Sequence, residues 1–203
     1  MSNPPPESAR FTVLLVCTGN ICRSAFAERL GRAYLDEVMG HDADQVRLAS
    51  AGTRAVVDSA MHPDSVLVLS GLGADAGDFR ARQLVDGMVT GADLTLTMTR
   101  AHRQDVLHRD PRALARTFTL REAAELVERT GDVAPEGATL PERARNLVSA
   151  MAAARFQRRG GEDDDVSDPI GLPVEVHQEV GEAIAGALLP LLRRIVDCQV
   201  SPP

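Results

Sequence analysis

The chain has 203 residues, a net charge of −7, 44% hydrophobic and 25% charged residues. That is the size and make-up of one ordinary globular domain, which excludes wholesale disorder and collagen-like repeats. The acidic balance also argues against non-specific nucleic-acid binding, which needs a basic face.

Residues 1–10 read as a Pro/Ser-rich flexible tail. Phe11–Val16 is a continuous apolar run rich in β-formers, the pattern of a strand buried on both faces. CTGNICRS follows, and then a helical pattern in which Phe26, Leu30, Tyr34 and Val38 recur every four residues as the expected buried stripe. Val46–Ser50 is a second strand, Pro63–Leu72 a helix ended by glycines, and Asp93–Thr97 a third strand. Arg100–His108 reads as a short helix and Arg116–Leu120 as a fourth strand. Leu120–Arg129, Pro141–Arg158 and Val174–Val196 complete the helices, with Pro190 a candidate kink in the last. The stretch TGDVAPEGAT (130–139) is a loop, and the acidic run Glu162–Asp165 a solvated one. Strands alternating with helices predict an α/β fold: a small doubly wound parallel sheet with helices on both faces. We expect one domain over 11–198, with a helical insertion at about 127–161 before the last helix. The insert helix Pro141–Arg158 is expected near the mouth of the site, shaping access.

Three cysteines leave one over in any disulfide scheme, and no Cys-x-x-Cys pair or zinc-spaced Cys/His grid is present. A reducing cytoplasm is the expected compartment. MSNPPPESAR lacks the basic and apolar regions of a signal peptide, and the longest apolar runs are too short to span a bilayer. No membrane association is expected. Every one of the 22 basic residues is Arg, which points to a high-GC, bacterial coding bias.

The chemistry gathers in the loop after the first strand. A loop between a buried strand and a helix turns successive N–H groups inward, and the helix N-terminus adds partial positive charge. That is a cradle for a phosphate-sized anion. Gly19 is expected to supply a conformation other residues avoid, Asn20 to tolerate left-handed geometry, and Arg23 to offer a planar fork to two phosphoryl oxygens. Such a cradle favours thiolate at Cys17, and the Ser24 hydroxyl is placed to donate to that sulfur when it leaves. Attack on a phosphate ester also needs an acid for the leaving oxygen. Asp168, stiffened by Pro169, is the candidate; Asp110 before Pro111 is a rival better explained as a helix stop. His62, His102 and His177 read as surface or capping residues, and Cys198 as inert.

At these residues a family resemblance appears. TVLLVCTGNICRSAFA (12–27) resembles the signature of the low-molecular-weight protein tyrosine phosphatases. SAGT (50–53), RARQL (80–84), MTRAH (98–102) and Asp168-Pro169 agree in the same order. The resemblance covers roughly residues 11–126 and 166–196. It implies a four-stranded parallel sheet, no metal or organic cofactor, and a phosphorylated protein as substrate; no oligomeric state follows from it. It further implies Cys17 as nucleophile, Arg23 as phosphate clamp and Asp168 as acid and base. Asn20, Ser24 and Ser50 would brace the loop, while Thr18, Gly19, Asn20, Ile21, Cys22 and Ser24 line the bound phosphate. Cys22 matches the family's second cysteine, which forms a reversible disulfide with the nucleophile under oxidation.

The chain departs from the family at Phe79, where many relatives carry a bracing His, and at Ile170, where an aromatic is usual. It has no Trp, and its one Tyr is Tyr34. The expected activity is hydrolysis of phosphotyrosine in proteins through a phospho-cysteine. A protein-arginine phosphatase is the same-fold alternative, disfavoured by Ile21, because a guanidinium would want a hydroxyl in that wall. An arsenate reductase would need relay cysteines, and residues 79–92 contain none. A non-catalytic phosphoprotein-binding module is disfavoured by the intact Cys17, Arg23 and Asp168.

Overall fold

The first strand, β1 (Phe11–Cys17), buries Phe11, Val13, Leu15 and Cys17 in one apolar cluster and Leu14 and Val16 in a second. The two sets alternate along the strand, as side chains on opposite faces of a sheet must. Each fully buried Leu or Val in it contributes roughly 2 kcal/mol. The computed structural model describes residues 10–131, 136–158 and 162–197. The tail before Arg10, Cys198, and parts of the two loops (132–135 and 159–161) lie outside the described residues.

β2 (Val46–Gly52), β3 (Leu94–Thr97) and β4 (Thr117–Thr119) complete a four-stranded parallel sheet in the order β2-β1-β3-β4. β1 therefore has β2 on one side and β3 on the other. The connections leaving it run in opposite directions, and the crevice beyond its carboxyl end is a topological switch point. The loop after β1 sits there.

Among the described residues seven α-helices cover the sheet: α1 (Arg23–Met39), α2 (Pro63–Gly71), α3 (Asp86–Thr90), α4 (Arg100–Arg109), α5 (Leu120–Arg129), α6 (Leu140–Ala154) and α7 (Val174–Asp197). α1, α5, α6 and α7 supply the larger cluster, whereas Val89 of α3 and Val106 of α4 close the smaller one. Local sequence fixes several starts. Thr119–Glu122 and Thr139–Glu142 are reciprocal capping boxes opening α5 and α6, and the Thr99 hydroxyl caps α4. α7 runs past Pro190 to Asp197.

Several expectations are corrected. Val38 is exposed on α1, while Leu35 and Met39 are buried. A strict four-residue repeat overshoots the turn, so by Val38 it has rotated about 120° from Phe26. The acidic run is not simply solvated. Asp164 is buried and takes the Arg158 guanidinium, Asp165 accepts from the Arg100 backbone N–H at 2.8 Å, and the Asp163 carbonyl accepts from Arg121. The insert helix is not near the site's mouth. Arg145 of α6 binds Asp93 and the Arg10 carbonyl, which precede β3 and β1, so it anchors at the amino edge of the sheet.

Candidate active site

Eight residues, Cys17 to Ser24, link β1 to α1 and wrap one end of a cavity of about 210 Å³. The segment after β2 holds their main chain through backbone hydrogen bonds. The N–H groups of Thr53, Arg54, Val56 and His62 donate to the carbonyls of Cys17, Thr18, Gly19 and Ile21 at 2.8–3.0 Å. A loop whose carbonyls are engaged on its outer side keeps its amides for an anion on its inner side. Cys22, at the start of α1, makes no side-chain cap, so the first-turn amides of that helix are also left for an anion.

Inside the loop the side chains form a fixed lattice. Asn20 is fully buried with φ 55°, and its Nδ2 donates to Ser24 Oγ at 2.9 Å and to Ser50 Oγ at 2.8 Å. Its Oδ1 accepts from the Arg82 backbone N–H at 2.7 Å. Cys17 Sγ lies 2.9 Å from Ser24 Oγ and accepts from the Asn20 N–H at 3.3 Å. The left-handed residue is Asn20 and not Gly19. Gly19 has no positive φ, and a Cβ there would meet Ile21 and Val56 only at ordinary contact distance. The glycine the loop requires is Gly52, whose Cβ would lie 2.4 Å from the Thr18 carbonyl.

Arg23 is buried beneath the cavity. Nη1 donates to the Val166 carbonyl at 3.1 Å and Nη2 to Asp168 Oδ2 at 2.5 Å, while buried Nε has no partner. Asp168 reaches in from the opposite side with its carboxylate partly exposed, and its Oδ1 accepts from the Ile170 N–H at 3.3 Å. The structure thus brings Cys17, Thr18, Gly19, Ile21, Cys22, Arg23 and Asp168 to one cavity, with Asn20, Ser24 and Ser50 behind it. Asp110 is not among them; it caps the turn Pro111–Arg116 and pairs with Arg112 and Arg116. Phe79 is buried in the core, with the Arg29 guanidinium over its ring, and takes no part in the bracing.

Four further residues belong here. Arg54 and Val56 line the cavity with Ile170. His102 is buried, not a surface residue. The Thr99 hydroxyl accepts from the His102 N–H at 3.2 Å and lies 2.8 Å from Nδ1. His102 Nε2 lies 2.9 Å from Thr18 Oγ1, so the ring ties Thr99 to the loop at Thr18. Burial first, and the Arg23 charge second, push the His102 pKa down to about 4, so the ring is neutral at ordinary pH. His102 lies inside the MTRAH segment; only the tertiary contact with Thr18 was beyond the sequence. The Cys22 thiol is pushed up to about 11, mainly by burial.

Comparison with known proteins agrees with this geometry. Residues 12–135 match the family described as Low molecular weight phosphotyrosine protein phosphatase. The chain is 37% identical over 111 residues to a probable low molecular weight protein-tyrosine-phosphatase, EpsP, of Ralstonia nicotianae, covering 55% of this chain and 71% of that one. It is 28% identical over 168 residues to a protein-arginine-phosphatase of Geobacillus stearothermophilus, covering 83% and 84%. Among solved structures, the YwlE arginine phosphatase from Geobacillus stearothermophilus superimposes with a TM-score of 0.67 at 24% identity, over 92% of this chain and 94% of that one. That likeness is one of fold.

Proposed function

Because the chain belongs to the low molecular weight phosphotyrosine protein phosphatase family, we propose that it hydrolyses phosphotyrosine in proteins through a phospho-cysteine intermediate. One observation carries the residue assignment: Cys17, Arg23 and Asp168 line a single cavity, and the loop carbonyls of Cys17, Thr18, Gly19 and Ile21 are engaged on the outer side. The phosphoryl group takes the loop amides and the Arg23 guanidinium, whose unpartnered Nε is already free. Cys17 Sγ attacks phosphorus while protonated Asp168 gives its proton to the departing phenolic oxygen. The Asp168 carboxylate then takes a proton from water as that water attacks the phospho-cysteine, and the Ser24 hydroxyl stabilises the leaving sulfur. Thr18, oriented by His102, adds a hydroxyl donor to a phosphoryl oxygen.

Ile21, Val56 and Ile170 make the upper wall apolar. Such a wall suits a flat aromatic ring better than a guanidinium, which favours tyrosine. Arginine phosphatase is the second reading, supported by the relative of that name matching 83% of the chain. A cytoplasmic, bacterial setting fits a thiol nucleophile that must stay reduced, and the relatives named above are bacterial. Phosphate release from a phosphotyrosine peptide, measured for wild type beside Cys17→Ser, tests the reading. Turnover lost in the variant is expected; equal turnover in both overturns it.

A further inference from the structure

Beside the catalytic cavity, and sharing Cys22 with it, one cluster stands out. Cys22, His62 and His177 come from the loop, the start of α2 and the first turns of α7, and their donor atoms lie within 4.8 Å of one another. We propose that Cys22, His62 and His177 form a binding site for a thiophilic divalent cation of the zinc class, which staples the loop to α2 and α7.

The donor set is the first argument. One thiolate and two imidazoles suit Zn²⁺ or Co²⁺ and suit Mg²⁺ or Ca²⁺ poorly. Among the described residues this is the cluster of His, Cys and carboxylate groups that meets ligand spacing. The second argument is an unsatisfied atom. The His177 side chain is completely buried, and its Nε2 has no hydrogen-bond partner. A buried imidazole nitrogen left without a partner is costly, and a metal would satisfy it.

The third argument is the arrangement behind the ligands. His177 Nδ1 lies 2.9 Å from Ser65 Oγ. A hydrogen on Nδ1 donated to that hydroxyl leaves the Nε2 lone pair free, the tautomer a metal-bound histidine needs. The Ser65 hydroxyl also faces the Cys22 thiol, so one serine adjoins two of the three ligands. His62 stacks on His177 with ring centroids 4.8 Å apart and is partly exposed, which gives the cation an entry path. Asp64 Oδ2 lies 3.8 Å from His62 Nδ1 and 4.0 Å from His177 Nε2, close enough to serve as a fourth ligand.

Binding forms a metal–sulfur bond at Cys22 and releases the thiol proton to solvent, with no change of oxidation state. Occupancy holds the residue next to Arg23 and, through the His62 N–H on the Ile21 carbonyl at 2.8 Å, the loop wall beside it. A metal-bound Cys22 is also withheld from disulfide formation.

Titration of chelator-treated, reduced protein with Co²⁺, followed by displacement with Zn²⁺, tests this. Expected is one Co²⁺ per chain with a thiolate-to-cobalt charge-transfer band. The band should be lost in Cys22→Ser and kept in Cys17→Ser. His62→Asn, at a partly exposed position where misfolding is not a concern, should weaken binding more than Ser65→Ala does; Ser65→Ala should weaken it about 10–100-fold. A band that survives Cys22→Ser, a band lost only in Cys17→Ser, or folded wild type that takes up no Co²⁺ overturns the proposal. None of these readouts depends on phosphatase turnover.

Discussion

Arg23 and Asp168 stand 2.5 Å apart, Nη2 to Oδ2, one buried under the cavity and the other at its lip. In the proposed reaction this contact must open, because both groups are needed elsewhere: Arg23 on the phosphoryl oxygens and Asp168 on the leaving oxygen. Asp168→Asn separates the two effects. It removes the acid, so kcat falls about 10²- to 10⁴-fold. It also frees Arg23 from a competing carboxylate, so inorganic phosphate or vanadate should inhibit the variant at least as tightly as wild type. Steady-state kinetics with product inhibition measures both, and weakened phosphate inhibition would contradict the role given to the pair.

Gly52 and Gly19 should respond oppositely to the same change. In Gly52→Ala the new Cβ meets the Thr18 carbonyl at 2.4 Å and the Ala55 backbone at 2.9 Å. Backbone cannot step aside as a side-chain tip can, so we expect a loss of about 1–3 kcal/mol in stability. Gly19→Ala meets nothing closer than 3.5 Å and should stay within about 0.5 kcal/mol of wild type. Urea unfolding of the two variants side by side decides it.

His102 makes stability depend on acid. Its pKa is about 4 in the folded chain against 6.5 as the ordinary value, because burial and Arg23 outweigh Asp105, Asp168 and Asp165. Between those pH values the unfolded chain holds more protons than the native one, so stability falls as pH drops from 6.5 to 4 and levels off below. The contribution is on the order of 3 kcal/mol. His177, lowered in the same direction mainly by burial, adds to the slope. His102→Gln should flatten the curve between these limits; parallel curves for variant and wild type would refute the linkage.

Ile21 should set the preference between aromatic and guanidinium esters. Ile21→Thr places a hydroxyl in the cavity wall and removes apolar surface facing the ring. The ratio of kcat/KM for phosphoarginine over phosphotyrosine peptides should rise about tenfold or more. An unchanged ratio would move the determinant to Arg54, Val56 or Ile170.

Much of this was legible from the chain, because the information is local. β1 announces itself as an apolar run, α5 and α6 begin at Thr-x-x-Glu boxes, and the eight-residue loop carries its chemistry in consecutive positions. What escaped was made by folding. Thr18 and His102 meet only because β1 and β3 are neighbours in the sheet. Cys22, His62 and His177 share no spacing that a motif could express. The assignment of backbone freedom to Gly19 failed for a different reason: residue type shows which position can adopt a left-handed turn, and tertiary hydrogen bonds decide which one does. At Asn20, three bonds through one side-chain amide settle it. The acidic run misled because Arg100 and Arg121, distant in sequence, meet Asp165 and the Asp163 carbonyl, while nearby Arg158 turns back onto Asp164.

The stretch from Thr53 to His62 grips the loop through its main chain, while its side chains at Arg54 and Val56 face the bound molecule's side of the cavity. Two tasks are thereby carried on separate parts of the same residues. Substitutions there can re-tailor which phosphorylated partner is accepted while the mould that shapes the reacting centre stays intact. Only proline, which lacks the N–H, would damage both at once. Descendants of this chain can therefore diverge in what they recognise without first relearning how to cleave it.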